Sequence, residues 1–286
     1  MTDDGAGFLP GLEEAYDLTI DQINDFRELG FIHLPGVLST REVEVYREVI
    51  HEAAHARFGE VVAMADRPAD DFSRVFLQAF NLRETDPRAA RFILARRFGK
   101  IVAELMGVDG VRIYYDKPMF KEPDSRITPW HQDGPHWPLY GDNVLTLWIP
   151  LVDITNDMGP LSFAARTHRK KGFGPRGIHD DSQQYYERYI DEHAIEVFKP
   201  SLKAGEASLH NHWVLHSAGR NTTNRMREVM GITYYEDGMH IDDSACDETA
   251  RPVIDETLGS RKPGERADSN RNQVVYRTSP DRELSN

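Results

Sequence analysis

"ASLHNHWVLHSAGRNTTNRMREVMGITYYE", residues 207–236, places His210, His212 and His216 within seven residues and Arg227 eleven residues after the last of them. Its two ends, 207–218 and 227–236, carry the apolar and β-branched runs of strands, with a polar turn-forming segment between them. On one extended strand the three histidines share a face, so strand geometry alone does not separate them. Histidine is intermediate in burial, and a histidine-rich strand is as readily a polar surface as a metal site. The rest of the chain has to supply the other ligands.

Outward from that stretch, "TPWHQDGPHWPL" (128–139) offers them. His131 and Asp133 are two residues apart, so on extended backbone both side chains point to the same side. One imidazole and one carboxylate suit a divalent first-row metal. A distant second histidine completes a 2-His-1-carboxylate triad that leaves three positions on the ion open. A structural zinc site closes all four positions, usually with cysteines, and Cys246 is the single cysteine of the chain. Arg227 adds a planar cation able to hold a carboxylate through two parallel hydrogen bonds. Arg220 and Arg225 compete with it, but Arg227 alone opens an apolar-alternating run.

The other β-like runs are 111–120, 144–154 and 159–164. Helices are expected at the N-terminal end. Thr19 can cap one carrying Ile20, Ile23, Phe26 and Leu29 and stopped by Gly30. Ser39 or Thr40 can cap a second carrying Val43, Val45, Tyr46 and Ile50. "FIHLPGVLS" between them reads as a strand running into a Pro-Gly turn, and 85–106 reads as helical. Residues 169–200 are too long and polar for a hairpin and are expected to form a lid. From 259 onward the chain is polar and is expected to be a loosely packed tail. The fold class is therefore mainly β with flanking α-helices.

The 286 residues are 40% hydrophobic and 28% charged, as in soluble globular proteins. A formal net charge of −13 repels nucleic acid and anionic membrane surfaces. No run approaches the ~20 apolar residues of a membrane span. The acidic start "MTDDGAGFLPG" lacks the features of a signal peptide, so a cytoplasmic location is expected. A small-molecule partner is expected, and self-association into a homo-oligomer is left open.

Taken together, "FRELGFIHLPGVLS", "KEPDSRITPWHQD", "GPLSFAARTHRK", "AGEASLHNHWVLHSAGRN" and Arg227 occur in an order that resembles the phytanoyl-CoA dioxygenase (PhyH-like) branch of the non-haem Fe(II)/2-oxoglutarate-dependent oxygenases. The resemblance extends to bacterial members that tailor natural products. It implies a double-stranded β-helix (jelly-roll, cupin-like) core within a single domain, 1–258, with N-terminal helices in 12–60. It implies Fe(II) on His131, Asp133 and His216, 2-oxoglutarate on Arg227, and O2 as the oxidant. His210 then lies in the surroundings of the metal, and His212 stands where relatives carry glycine. Thr146 is a candidate hydroxyl donor to 2-oxoglutarate, and Lys121 matches a family lysine near the site. His136, Tyr140, Tyr185 and Trp213 are candidate substrate contacts.

The implied activity is oxidation of an unactivated C–H bond with release of succinate and CO2. Hydroxylation is one outcome; radical ring closure or epimerisation in antibiotic biosynthesis, for example of a polyketide aminosugar, is another. Asp133 occupies the position that related halogenases leave to chloride. The competing classes are a cupin-like metal-dependent isomerase or binding protein that does not use 2-oxoglutarate, and an inactive interaction protein that keeps the fold.

Overall fold

The computed structural model describes residues 9–68, 72–175, 177–242 and 250–278; Cys246 and the first eight residues lie outside them. The chain opens with α1 (Ile20–Leu29), β1 (Phe31–Leu34) and α2 (Thr40–Phe58). Thr19 and Ser39 cap the two helices, each in a reciprocal capping box with the Gln22 or Glu42 three residues on. Gly30 ends α1 in the left-handed conformation at φ 86°. There follow β2 (Leu77–Gln78), α3 (Pro87–Ile93), α4 (Arg96–Met106), β3 (Gly110–Phe120), β4 (Thr128–His131), β5 (Leu139–Tyr140), β6 (Val144–Pro150) and β7 (Leu161–Ala164). The chain continues through α5 (Asp180–Glu192), β8 (Val197–Phe198), β9 (Ala207–Asn211), β10 (His216–Ala218), β11 (Val229–Glu236), β12 (His240–Ile241), α6 (Ala250–Leu258) and β13 (Val274–Arg277).

Two antiparallel sheets form the core. The major one runs β1-β9-β6-β11-β3-β13, with β2 also on β3, and the minor one runs β4-β10-β7-β8. Alternation along the strands divides the major sheet into two faces. Leu145, Leu147 and Ile149 of β6, with Met230, Ile232 and Tyr234 of β11, pack on α1 to α4. The opposite face meets the minor sheet through Trp148, Leu161, Phe163, Val214 and Val229. This sandwich is the expected jelly-roll core, and a cavity lies between its layers. Helix α5 covers the outside of the minor sheet, with Tyr186 and Ile190 on Trp130 and Leu215.

Three features differ from the sequence expectations. Residues 207–218 are not one strand. The chain leaves the major sheet after Asn211, turns, and enters the minor sheet at His216. The segment 85–106 is two helices broken at Leu94–Ala95. The boundary at 258 and the loose tail are also corrected, because β13 pairs with β3 and Tyr276 packs into the main core. Buried Tyr276 and the partly buried Val275 hold that segment on the core despite its polar surroundings.

Candidate active site

His131 is the last residue of β4, and Asp133 follows in the turn before a short 3-10 segment, Gly134–His136. His216 opens β10 directly opposite His131 in register, with ring centroids 4.2 Å apart. His131 Nε2 is 3.5 Å from Asp133 Oδ1, and His216 Nε2 is 3.8 Å from Asp133 Oδ2. One ligand atom from each of the three lies within 4.8 Å of the others. The expected triad is therefore assembled by adjacent strands of the minor sheet.

The protonation pattern suits a metal. His131 Nδ1 is 2.8 Å from the Pro129 carbonyl, and His216 Nδ1 is 3.0 Å from the Val214 carbonyl. A carbonyl only accepts, so Nδ1 carries the hydrogen in both rings and Nε2 presents its lone pair. Burial, with His131 nearby, holds His216 well below the usual histidine range, which favours the neutral ligand form. Burial alone would raise the Asp133 carboxyl. The surrounding imidazoles of His216, His131 and His210 outweigh it, and the group stays well below the usual carboxylate range. Two neutral imidazoles and one carboxylate with open positions fit a non-haem Fe(II) ion.

The three histidines of 210–216 have three different fates, because the chain changes sheets between them. His216 joins the triad. His210 points from the major sheet into the same cavity, its ring centroid 4.5 Å from that of His216 and its Nε2 3.7 Å from Asp133. His212 is buried behind the cavity, with Nδ1 2.9 Å from the Val144 carbonyl. Burial pushes its imidazole down to about 4.

Arg227 enters the cavity from the start of β11. It is buried, donates to the Gly159 carbonyl and lies 5.3 Å from the Trp148 ring. Its Nε has no partner, and no carboxylate pairs with it among the described residues. Burial lowers the guanidinium to about 9. An isolated buried cation is costly, and a bound carboxylate would supply the missing counter-charge. The rival cations Arg220 and Arg225 are exposed.

Thr146 lines the cavity and pairs at 3.1 Å with Thr233 of β11. Thr233 is missing from the sequence expectations, although its shared parity with Arg227 along 227–236 marks it. Lys121 is not brought to the cavity. Its ammonium turns away to the carbonyls of Val75 and Arg126, as expected of a buried charge that has to be solvated by backbone. The lysine that lines the cavity is Lys117, which the sequence reading missed. The four candidate substrate contacts also lie elsewhere. Tyr140 and Tyr185 are exposed, at 71% and 43%. Trp213 packs against Gly134, and His136 sits in the turn after Asp133. From 169–200, Ile178 reaches the cavity; it faces Phe72 and Phe76 where the cavity opens toward two surface grooves.

Comparison with known proteins agrees with this geometry. The phytanoyl-CoA dioxygenase (PhyH) family model matches residues 26–229. The chain belongs to the phytanoyl-CoA dioxygenase family. As a member it is an Fe(II)- and 2-oxoglutarate-dependent dioxygenase. Among curated relatives, the 2-aminoethylphosphonate dioxygenase of Uncultured bacterium HF130_AEPn_1 is 24% identical over 220 residues, covering 76% of this chain and 81% of the relative. The methylphosphonate hydroxylase of Gimesia maris is 26% identical over 232 residues, covering 76% and 80%. The carbocyclase SnoK of nogalamycin biosynthesis superposes with a TM-score of 0.74 at 22% identity, covering 91% of this chain and 97% of SnoK. The last likeness establishes the shared fold.

Proposed function

We propose that this dioxygenase oxidises a C–H bond of a small organic substrate at an iron held by His131, Asp133 and His216, with Arg227 gripping the far carboxylate of 2-oxoglutarate. Bound there, iron and 2-oxoglutarate supply the oxidant, with succinate and CO2 as co-products. The chain's own residues position and shield. The carbonyls of Pro129 and Val214 fix the tautomers of the two ligand rings. Arg227 orients the co-substrate, and the Thr146–Thr233 hydroxyl pair lies beside it. Phe163, stacked on Phe31 at 4.6 Å, packs behind His210 and His216.

The observation that carries this reading is the buried, carboxylate-free Arg227 in the cavity of the triad. A cupin-like isomerase or binding protein needs no such cation. The cavity is narrow, about 100 Å³, the room of roughly 3 waters. The chain's likeness to relatives named for phosphonates favours a small substrate over a polyketide aminosugar, for which Phe72, Phe76 and Ile178 have to move apart. With Asp133 in place, halogenation is disfavoured. Residues 169–200 serve as the lid through Ile178. Anaerobic titration with Fe(II) and 2-oxoglutarate is expected to produce the visible charge-transfer band of the chelate. Metal binding without that band refutes the oxygenase assignment.

A further inference from the structure

Strand β3 contains an extra residue. Against β11, Thr233 pairs with Tyr115 while Tyr234 pairs with Ile113, so Tyr114 is bulged out of the ladder. The bulge reverses the facing of every side chain beyond it. Val111 and Ile113 pack on the helices, yet Tyr115, Lys117 and Met119, two, four and six residues after Ile113, line the catalytic cavity. A regular strand directs Lys117 into the helix layer. The irregularity turns a cation toward the iron site.

Among the described residues Lys117 makes no hydrogen bond or ion pair, and its ammonium is held by the rings of Phe80, Phe76 and Tyr115, with centroids 5.5–5.8 Å away. Across the ladder stands Gly231, itself a cavity residue, where an added Cβ meets Met119 Cε at 2.7 Å. The glycine thus lets Met119 pack across the strand pair, and Lys117 stands on the side where Phe72 and Phe76 also border the surface groove.

The charges of the loaded site make the same point. The charged side chains lining the cavity are Asp133, Arg227 and Lys117. Iron(II) and Arg227 together cancel Asp133 and the doubly negative 2-oxoglutarate. Lys117 leaves one positive charge over, in surroundings of low dielectric where an unpaired charge is unfavourable. In the proposed site the two carboxylates of 2-oxoglutarate would have partners of their own, the metal for one and Arg227 for the other.

We infer that Lys117 is a specificity-determining residue that binds an oxoanion group of the substrate, a phosphonate or a carboxylate, at the mouth of the cavity. The inference rests on the oxygenase reading, and it is tested on protein loaded anaerobically with Fe(II) and 2-oxoglutarate. Methylphosphonate, propionate and uncharged dimethyl sulfone are each titrated in, followed by calorimetry and by perturbation of the charge-transfer band. Saturable binding of methylphosphonate or propionate, and not of the sulfone, is expected; the tighter of the two identifies the anion. Lys117→Met should weaken that binding about 10- to 100-fold, the loss typical of a charge-assisted hydrogen bond. Lys117→Arg should largely retain it, and the 2-oxoglutarate midpoint should stay the same in both variants. Lys117→Gln replaces the methionine variant where that does not fold. Absence of anion binding to loaded wild-type protein, equal binding of the sulfone, an unchanged affinity in Lys117→Met, or a loss of 2-oxoglutarate affinity in that variant each overturns the assignment. Failure of the band itself refutes the oxygenase reading and takes this inference with it.

Discussion

Replacing Arg227 by methionine should make the ligand-free protein more stable while abolishing most of its 2-oxoglutarate binding. Burial lowers the guanidinium to about 9, and the distance from its ordinary value corresponds to ~5 kcal/mol against the charged form. That cost is present in full below about pH 9 and is relieved as the pH rises above it, because the unfolded chain then holds the proton more tightly than the folded one. Two contacts offset it: the bond to the Gly159 carbonyl, ~2 kcal/mol for a charged donor, and the Trp148 ring at 5.3 Å, ~1–2 kcal/mol. Methionine keeps the packing of the stem, so the variant gains ~1–2 kcal/mol, a rise in Tm of roughly 2–8 °C for a domain of this size. Losing a two-point grip on a carboxylate should weaken 2-oxoglutarate binding at least ~100-fold. Thermal melts with Mn(II) in place of iron, with and without 2-oxoglutarate, read both effects at once. A ligand-free variant that melts well below wild type makes Arg227 a structural residue. Undiminished stabilisation by 2-oxoglutarate in the variant removes it from the co-substrate site.

Other outcomes follow from the same geometry. His216→Ala should lower Fe(II) affinity at least ~100-fold, while His212→Ala keeps it within about threefold and instead loses ~1 kcal/mol or more of stability with the ring's hydrogen bond to the Val144 carbonyl, which retains the backbone N–H of residue 212; equal iron losses in equilibrium dialysis refute the ligand choice. Because burial pushes His212 down to about 4, its contribution is complete above about pH 6.5 and declines on acidification. Urea denaturation should show about 2 kcal/mol less stability from this residue at pH 5 than at pH 7.5, and a His212→Asn variant with the same pH slope as wild type refutes that assignment. Lys121→Gln should lower the melting temperature yet leave 2-oxoglutarate affinity within about threefold, since the ammonium serves the Val75 and Arg126 carbonyls; a tenfold loss in isothermal titration returns Lys121 to the co-substrate site.

What the sequence revealed depended on whether the signal was local. Helix starts at Thr19 and Ser39 are written in capping boxes four residues long, and they were legible. His131 and Asp133 needed only their two-residue spacing, although Asp133 lies in the turn after β4 and not on extended chain, and the link to Arg227 needed the spacing that follows His216. The break between Asn211 and His216 was hidden, because His212 and Trp213 carry none of the glycine or proline that usually marks a turn. Shared parity therefore suggested one face for three histidines that occupy three environments. Lys117 was hidden for a related reason. Period-two counting along 111–120 assigns it to the helix layer with Val111 and Ile113, and only the ladder with β11 shows the extra residue at Tyr114. Lys121 misled in the opposite direction, since family position marks a neighbourhood and does not fix which way an ammonium turns.

The C-terminal strand has a consequence for how the molecule is made. Val274 and Tyr276 pair with Arg112 and Val111, and Tyr276 fills the space against Gly99, where even a methyl group meets its Cβ at 2.8 Å. The strand that carries Lys117 thus receives part of its outer edge from residues synthesised about 160 positions later. Until those residues leave the ribosome, the strand presents unpaired backbone groups beside an apolar helix layer, the combination that chaperones bind and that aggregates nucleate on. The oxidation site is therefore assembled late in synthesis, and its vulnerable interval is set by the last strand to arrive.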